Sequence, residues 1–436
     1  MVHINDAISV VAIQSCRVKD ITQVNAISHF HSFISQTPQN CLAPCNSSLP
    51  TLRPELSKAS APSISTLSNG TIVVTESSSS SSTVTLTFPG AGSGSENFDE
   101  CGAALINKCM MYRSGSGLST AVILRNIEAD GGMTFTSVDR TSATIGFTIA
   151  PEKAIRLVPL LATDCTFEKW DVRDAKNFAN VEIEIAATSP QISLTEGLFA
   201  AAYGPQSVLG RPLYSSQAGT AAIQAFHARA YGLKGAVLAA TAVADHAAFV
   251  AACEVSLSQS PVGSGVSPAS AVYMGGESRF HIPGTYFTHV ALGMPGPSSS
   301  VVANVVKHCL VLSGVSAFTS SSLIGVYGTS ASTDAGTMFD SLKSSHASPS
   351  SDIIKRAKCL AKAEACFGLE NGSQDLAAAM TKSILETGTF GGISAAYDAV
   401  SENDVSAAFS VMQKSNPSLA AVGDLSYVPY HASILA

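Results

Sequence analysis

The chain repeats itself. Val84–Phe88, followed by Pro89-Gly90, is answered by Val290–Met294, followed by Pro295-Gly296. A helical pattern follows each turn, Cys101–Tyr112 in the first half and Ser299–Ser313 in the second. Further on, Phe135-Thr136-Ser137 is answered by Phe318-Thr319-Ser320, and Ile145-Gly146-Phe147 by Ile324-Gly325-Val326. The distance between the copies shrinks by about two dozen residues after the first match, so the second half has lost one connection. A duplicated order of strands, helix, strands and helices restricts the fold to two lobes of one architecture. The expected class is α+β: two homologous lobes, each a β-sheet with helices packed on one side, joined by a linker.

The length of 436 residues suits this plan, since a single core rarely organises so long a chain. The expected divisions are a leader or extension at 1–58, a first lobe at 59–259, a linker at 260–272 and a second lobe at 273–436. Asn69-Gly70 is a hairpin turn signal. Thr71–Thr75 and Thr83–Phe88 alternate as strands around Ser77–Ser82, which reads as a flexible loop or, alternatively, a phosphorylation site. Gly131-Gly132 stops a helix before strands Met133–Val138 and Ala143–Ile149. Pro151 opens a helix running to about Thr163. Helical patterns follow at Phe167–Ala187, Leu194–Tyr203 and Thr220–Tyr231, then a buried strand at Lys234–Ala242 and a helix at Val243–Ser258.

Charged residues are only 13% of the chain, about half the usual ~25%. So few charges suggest a surface partly covered by partners. The net charge is −7 and no block of Lys and Arg occurs, which argues against nucleic-acid binding. The longest apolar stretch, Leu233–Val255, is broken by Lys234, Asp245, His246 and Glu254, so no helix spanning a membrane is expected. The ten cysteines form no Cys-x-x-Cys pair. They read as free thiols, with Cys41 and Cys45 as an alternative loop pair. The sequons at Asn46, Asn69 and Asn371 follow no secretory signal and read as chance. The leader is a weak presequence at best, with Arg17 and Lys19 against Asp6 and Asp20; a retained extension is equally compatible.

Gly90-Ala91-Gly92-Ser93-Gly94-Ser95-Glu96-Asn97, followed by Gly102-Ala103-Ala104, resembles the approach to the catalytic helix of the mitochondrial processing peptidases. Active members carry His-x-x-Glu-His after that glycine, with two zinc ligands one helical turn apart and a glutamate acting on the metal-bound water. In this frame the first ligand position falls on Leu105, the glutamate position on Lys108 and the second ligand position on Cys109. The third ligand position falls near Ile192, with Glu196 close but at another phase of its helix. An aliphatic side chain, a cation and a lone thiol do not make a zinc site.

Further segments carry the resemblance over about residues 60–436. They are Asn126–Gly132, Phe167–Trp170, Glu196–Tyr203, Gly210–Tyr214, Tyr273–Glu277 and Ala420–Leu425. The resemblance implies a non-catalytic member of this family, of the kind built into respiratory complex III as a core subunit. Such a chain is peripheral on the matrix side of the mitochondrial inner membrane. It implies as partners a sister core subunit and, through the dimeric complex and its supercomplexes, cytochrome b, cytochrome c1 and the iron–sulfur subunit. It implies no cofactor, no catalytic residue and no metal ligand in this chain. The alternative is a non-catalytic α-type subunit of the processing peptidase that binds presequences. That subunit has a long glycine-rich loop in its second lobe, whereas Leu312–Thr319 here holds Gly314 alone.

Other chemistries are weaker. Gly90–Gly94 lacks the Gly-Lys-Ser/Thr of a phosphate loop, and Ser95 stands where Gly-x-Gly-x-x-Gly needs its last glycine. His29 and His31 have no third partner nearby, and His227, His246, His281 and His289 read as structural histidines. No Gly-x-Ser-x-Gly elbow stands in a strand–turn–helix setting.

Overall fold

The structure is a computed structural model in which residues 62–115, 117–161, 165–258, 271–320 and 322–432 are described. The expected leader, with His29, His31, Cys16, Cys41, Cys45 and Asn46, lies outside the described residues, as does most of the expected linker. The first half runs β1 (Ser63–Thr66), β2 (Ile72–Thr75), β3 (Ser82–Pro89), α1 (Ala103–Met110), α2 (Thr120–Glu128), β4 (Met133–Val138) and β5 (Ser142–Ile149). It continues with α3 (Pro151–Leu157), α4 (Lys169–Thr188), α5 (Pro190–Tyr203), α6 (Thr220–Ala230), β6 (Val237–Ala240) and α7 (His246–Leu257). The second half runs β7 (Glu277–His281), β8 (Phe287–Pro295), α8 (Ser300–Leu312), β9 (Ser316–Ser320), β10 (Leu323–Ala331) and α9 (Ala335–Ser344). It closes with α10 (Ser351–Glu370), α11 (Ser373–Thr387), α12 (Ile393–Ala399), α13 (Glu402–Lys414) and β11 (Ser418–Gly423).

The duplication is explicit in the sheets. The first has the order β1-β2-β6-β3-β5-β4 and the second β7-β11-β8-β10-β9. In each, a parallel pair (β2 with β6, β7 with β11) is followed by three antiparallel pairs. The second sheet therefore copies the first without β1. The repeated motifs face one another across strands: Phe135 pairs with Gly146, and Phe318 with Gly325. Each ring lies over its glycine so closely that a Cβ there would collide with it. Each half thus keeps an aromatic and a glycine in register as one packed unit. The lost connection is equally visible. Between α1 and β4 the first half inserts α2, whereas α8 and β9 are joined by residues 313–315 alone.

Local chemistry accounts for most element ends. Asn69 Oδ1 accepts the Thr71 amide at 3.0 Å and Gly70 takes φ 85°, which closes the β1–β2 turn. Pro151 sits in the first turn of α3, and the α-helix ends at Leu157 and tightens into a 3-10 turn over Val158–Leu161, with Thr163 outside the described residues. The expected strand at Lys234–Ala242 narrows to Val237–Ala240, because Gly235 turns with φ 80° and its amide bonds Gly70 O at 3.0 Å. Ser77–Ser82 is less free than expected. Glu76 accepts the Ser79 hydroxyl at 2.9 Å, Ser81 Oγ meets Ser373 Oγ at 2.8 Å, and Ser82 is already in β3. The seven described cysteines are free.

Each half builds its own core on one face of its sheet. Leu86, Phe88, Leu105, Ile106, Phe147, Phe226 and Phe249 pack together in the first, and Leu292, Val306, Phe339 and Phe409 in the second. Each such side chain contributes about 1.5–3 kcal/mol of transfer free energy. The opposite faces are covered by exchange. Helix α11, from the second half, lays Ala377, Met380 and Ile384 on Val74, Val237 and Ala239 of the first sheet. Helix α5, from the first half, lays Leu194, Leu198 and Ala202 on Ala291, Ala420 and Val422 of the second. Thr83, Thr85 and Thr87 would be the wet face of β3 in an isolated sheet, yet all three are buried. Their hydroxyls are paired: Thr83 Oγ1 with Thr148 Oγ1 at 2.9 Å and Ser373 Oγ at 2.8 Å, Thr87 Oγ1 with Thr144 Oγ1 at 2.8 Å.

Candidate functional site

The glycine run after β3 is a packing device. Its amides are spent on the β4–β5 turn: Gly90 N–H donates to Thr141 O at 2.7 Å, Ser93 N–H to Asp139 O at 3.2 Å and Gly94 N–H to Arg140 O at 2.9 Å. A side chain at Gly92 would overlap the Arg140 backbone. Amides engaged in this way do not form a phosphate cradle. Arg140 is itself buried. It pairs with Glu196 on α5 at 2.5 Å, donates to Leu209 O at 3.2 Å and to Arg211 O, and lies 4.3 Å from the Phe199 ring centroid. One guanidinium so joins the turn, α5 and the segment after it.

Helix α1 starts at Gly102, whose φ of 87° and contact with the Ser215 backbone exclude any side chain. Glu96 reaches over the helix start and accepts the Gly102 and Ala104 amides at 3.0 and 2.8 Å. Burial pushes its carboxyl up to about 7, against the downward pull of those amides and of Arg211.

On α1 the three positions of the peptidase frame are occupied as follows. Leu105 is in the core and 1% exposed. Lys108 Nζ bonds both oxygens of Glu182 on α4, at 2.8 and 2.9 Å. Cys109 is half-buried; burial, with Glu182 adding to it, pushes its thiol up to about 12, so it stays protonated at neutral pH. Ile192 is elsewhere. It lies on α5 and, with Arg140, Gln191, Glu196, Phe199 and Ser320, lines a cavity of about 360 Å³ between the two halves. The acid that α4 presents to α1 is Glu182, which the sequence frame missed. A carboxylate in the helical pattern next to the motif helix, opposite its one cation, was the available signal.

Zinc needs three or four N, O or S donors. Leu105 offers none, Lys108 offers a cation held by the local carboxylate, and Cys109 offers a protonated thiol. The residues present do not fit the ion. Among the described residues no group of three or more His, Cys, Asp or Glu side chains could hold a metal. The histidines have structural partners. His246 bridges Ser65 Oγ at 2.7 Å and Thr75 Oγ1 at 2.8 Å, His289 meets Tyr327 OH at 2.7 Å, His281 accepts the Leu425 amide at 3.4 Å, and His227 stacks on Tyr231.

Helix α1, the glycine run and both antiparallel strand pairs fall inside a recognisable domain. Residues 71–216 match the family model of insulinase, peptidase family M16. The M16 match ends before the second half, which the repeated sheet order shows to be built the same way. Among solved structures, a chain of complex III2 from Candida albicans with Inz-5 bound superposes with a TM-score of 0.71. The two are 18% identical, and the alignment covers 85% of this chain and 98% of that one. The M16 likeness thus covers residues 71–216, and the two-lobed chain shares its fold with that chain of complex III2. The search of curated proteins gave no match.

Proposed function

We propose that this chain is a non-catalytic core subunit of ubiquinol–cytochrome c reductase, respiratory complex III, of the core protein 2 type. The observation that carries the reading is helix α1: an M16 motif helix whose ligand frame holds Leu105, Lys108 and Cys109, with Lys108 locked to Glu182. Such a helix keeps the packing of a peptidase and has lost the donors that hydrolysis needs. The likeness to a chain of a complex III2 structure, over nearly that chain's whole length, supports the assembly role. Among the described residues no helix is long and apolar enough to cross a membrane, which agrees with peripheral attachment. On this reading the chain sits on the matrix side beside a sister core subunit and helps hold the dimeric complex, alone or within supercomplexes. The short α8–β9 connection leaves no place for the long loop of a presequence-gripping peptidase subunit.

Blue-native electrophoresis of mitochondria tests the proposal. The chain is expected in one band with cytochrome b and cytochrome c1, and the purified chain is expected to carry no stoichiometric zinc. A free pool with no such band, or presequence cleavage on mixing with a zinc-bearing partner, would overturn it.

A further inference from the structure

We propose that the cleft between α4 and the start of α6 is an anion site that takes a phosphate group. Lys169, Arg173 and Lys176 follow one another at helical spacing on α4, so they share one face. With Asn177, Asn180 and Thr220 they line a cleft of about 390 Å³. No acid lines it. Arg173 has one ion pair, an exposed contact with its neighbour Asp174 at 3.5 Å. Lys169 and Lys176 have no ion-pair partner among the described residues. Glu184, the next acid along that face, lies about two turns beyond Lys176. The acids interleaved with them, Asp171 and Asp174, fall on other faces of α4, and Glu168 precedes the helix, so three cations share a face that no acid lines.

The remaining groups add to the same sign. Asn180 Oδ1 accepts the Ser216 hydroxyl at 2.7 Å, so the polar group this side chain has left to offer a ligand is its amide N–H2, a donor. Thr220 is the first residue of α6, and Gly219 before it provides no side-chain cap, so the first amides of that helix lie open beside the cations. The cleft thus offers two ammonium groups, a guanidinium and amide donors. That set suits the three oxygens of a phosphate. No aromatic side chain lines it, so it recognises charge and not a base, and its wide mouth leaves the rest of the ligand in solvent. Two sources share this chemistry: a soluble phosphate ester and a phospholipid headgroup.

The test uses the full chain and does not depend on membership in complex III. Inorganic phosphate is titrated by calorimetry at fixed ionic strength. In a second arm the chain is sedimented with vesicles of phosphatidylcholine, with and without an anionic phospholipid. Both arms are repeated on Lys169→Gln/Arg173→Gln/Lys176→Gln and on a control of equal charge change, Lys355→Gln/Arg356→Gln/Lys414→Gln. Saturable phosphate binding is expected, weakened on the order of tenfold or more in the α4 variant and unchanged in the control. Cosedimentation with anionic vesicles that the α4 variant loses assigns the site to a headgroup; phosphate binding without it assigns a soluble ester. Absence of saturable binding in both arms, or equal losses in the two variants, overturns the proposal. Should the triple variant melt early, Lys176→Gln alone is read in the same titration.

Discussion

At the scale of single residues, Glu96 and Lys108 show how this chain uses charge. Glu96 sits almost dry over the start of α1, with its carboxyl raised to about 7 from an ordinary 4.5. A carboxyl raised on folding contributes stability that is complete below the unfolded value and is lost as pH climbs through the folded one. The chain should therefore lose up to about 3 kcal/mol between roughly pH 4.5 and 7 through this group alone. In Glu96→Gln that slope should vanish. Thermal midpoints of both proteins at pH 5 and pH 8 check this, and parallel slopes would count against it. The Lys108–Glu182 pair is partly exposed, at 20% and 35% of its side chains, so Lys108→Met should cost about 1 kcal/mol, whereas Lys108→Glu sets two carboxylates together and should lower the melting temperature more. Equal midpoints for the two variants would show that Glu182 is not the partner that matters. Much of this scale was legible beforehand: Leu105, Lys108 and Cys109 lie on the motif helix, and Phe135 and Phe318 announced the repeat. Glu182 was not, because the frame counted residues along the chain while the contact is made by helix packing. Ile192, which the frame put near the third ligand position, lies on α5 beside the cavity between the halves.

At the scale of elements, local signals fixed where helices and strands begin. Pro151, the Asn69-Gly70 turn and Gly131 act within a few residues of themselves, so sequence alone exposes them. The partners of each sheet face were hidden. The threonines of β3 would be a solvent face in an isolated sheet, and only the fold shows α11 arriving from nearly 300 residues away. Met380 on α11 is fully buried against the first sheet. Met380→Ala should cost about 2–5 kcal/mol. The loss should show in amide exchange of Val237–Ala240, not only in α11 itself. Unchanged protection in β6 would mean that α11 is an ornament of the first sheet.

At the scale of the whole molecule, the two halves are homologous but not independent, since each lends a helix to the other's sheet. Residues 59–259 produced alone should fail to give a cooperative melt, and the same should hold for 271–436. Mixed during refolding, the two pieces should recover one transition. Two separate, stable transitions from the isolated pieces would refute the exchange. The repeat in the sequence correctly implied two copies of one lobe; the loan of α5 and α11 left no local mark, because an apolar helix stripe reads the same whichever sheet it covers.

The position of α11 also sets a timetable. Ribosomes deliver the last strand of the first sheet long before the helix that roofs it, a wait of roughly seven to thirty seconds at about 5–20 residues per second. Throughout that interval Val74, Val237 and Ala239 stand bare on a nascent chain. A newborn molecule of this kind must be sheltered by chaperones or kept loosely folded until its C-terminal third emerges.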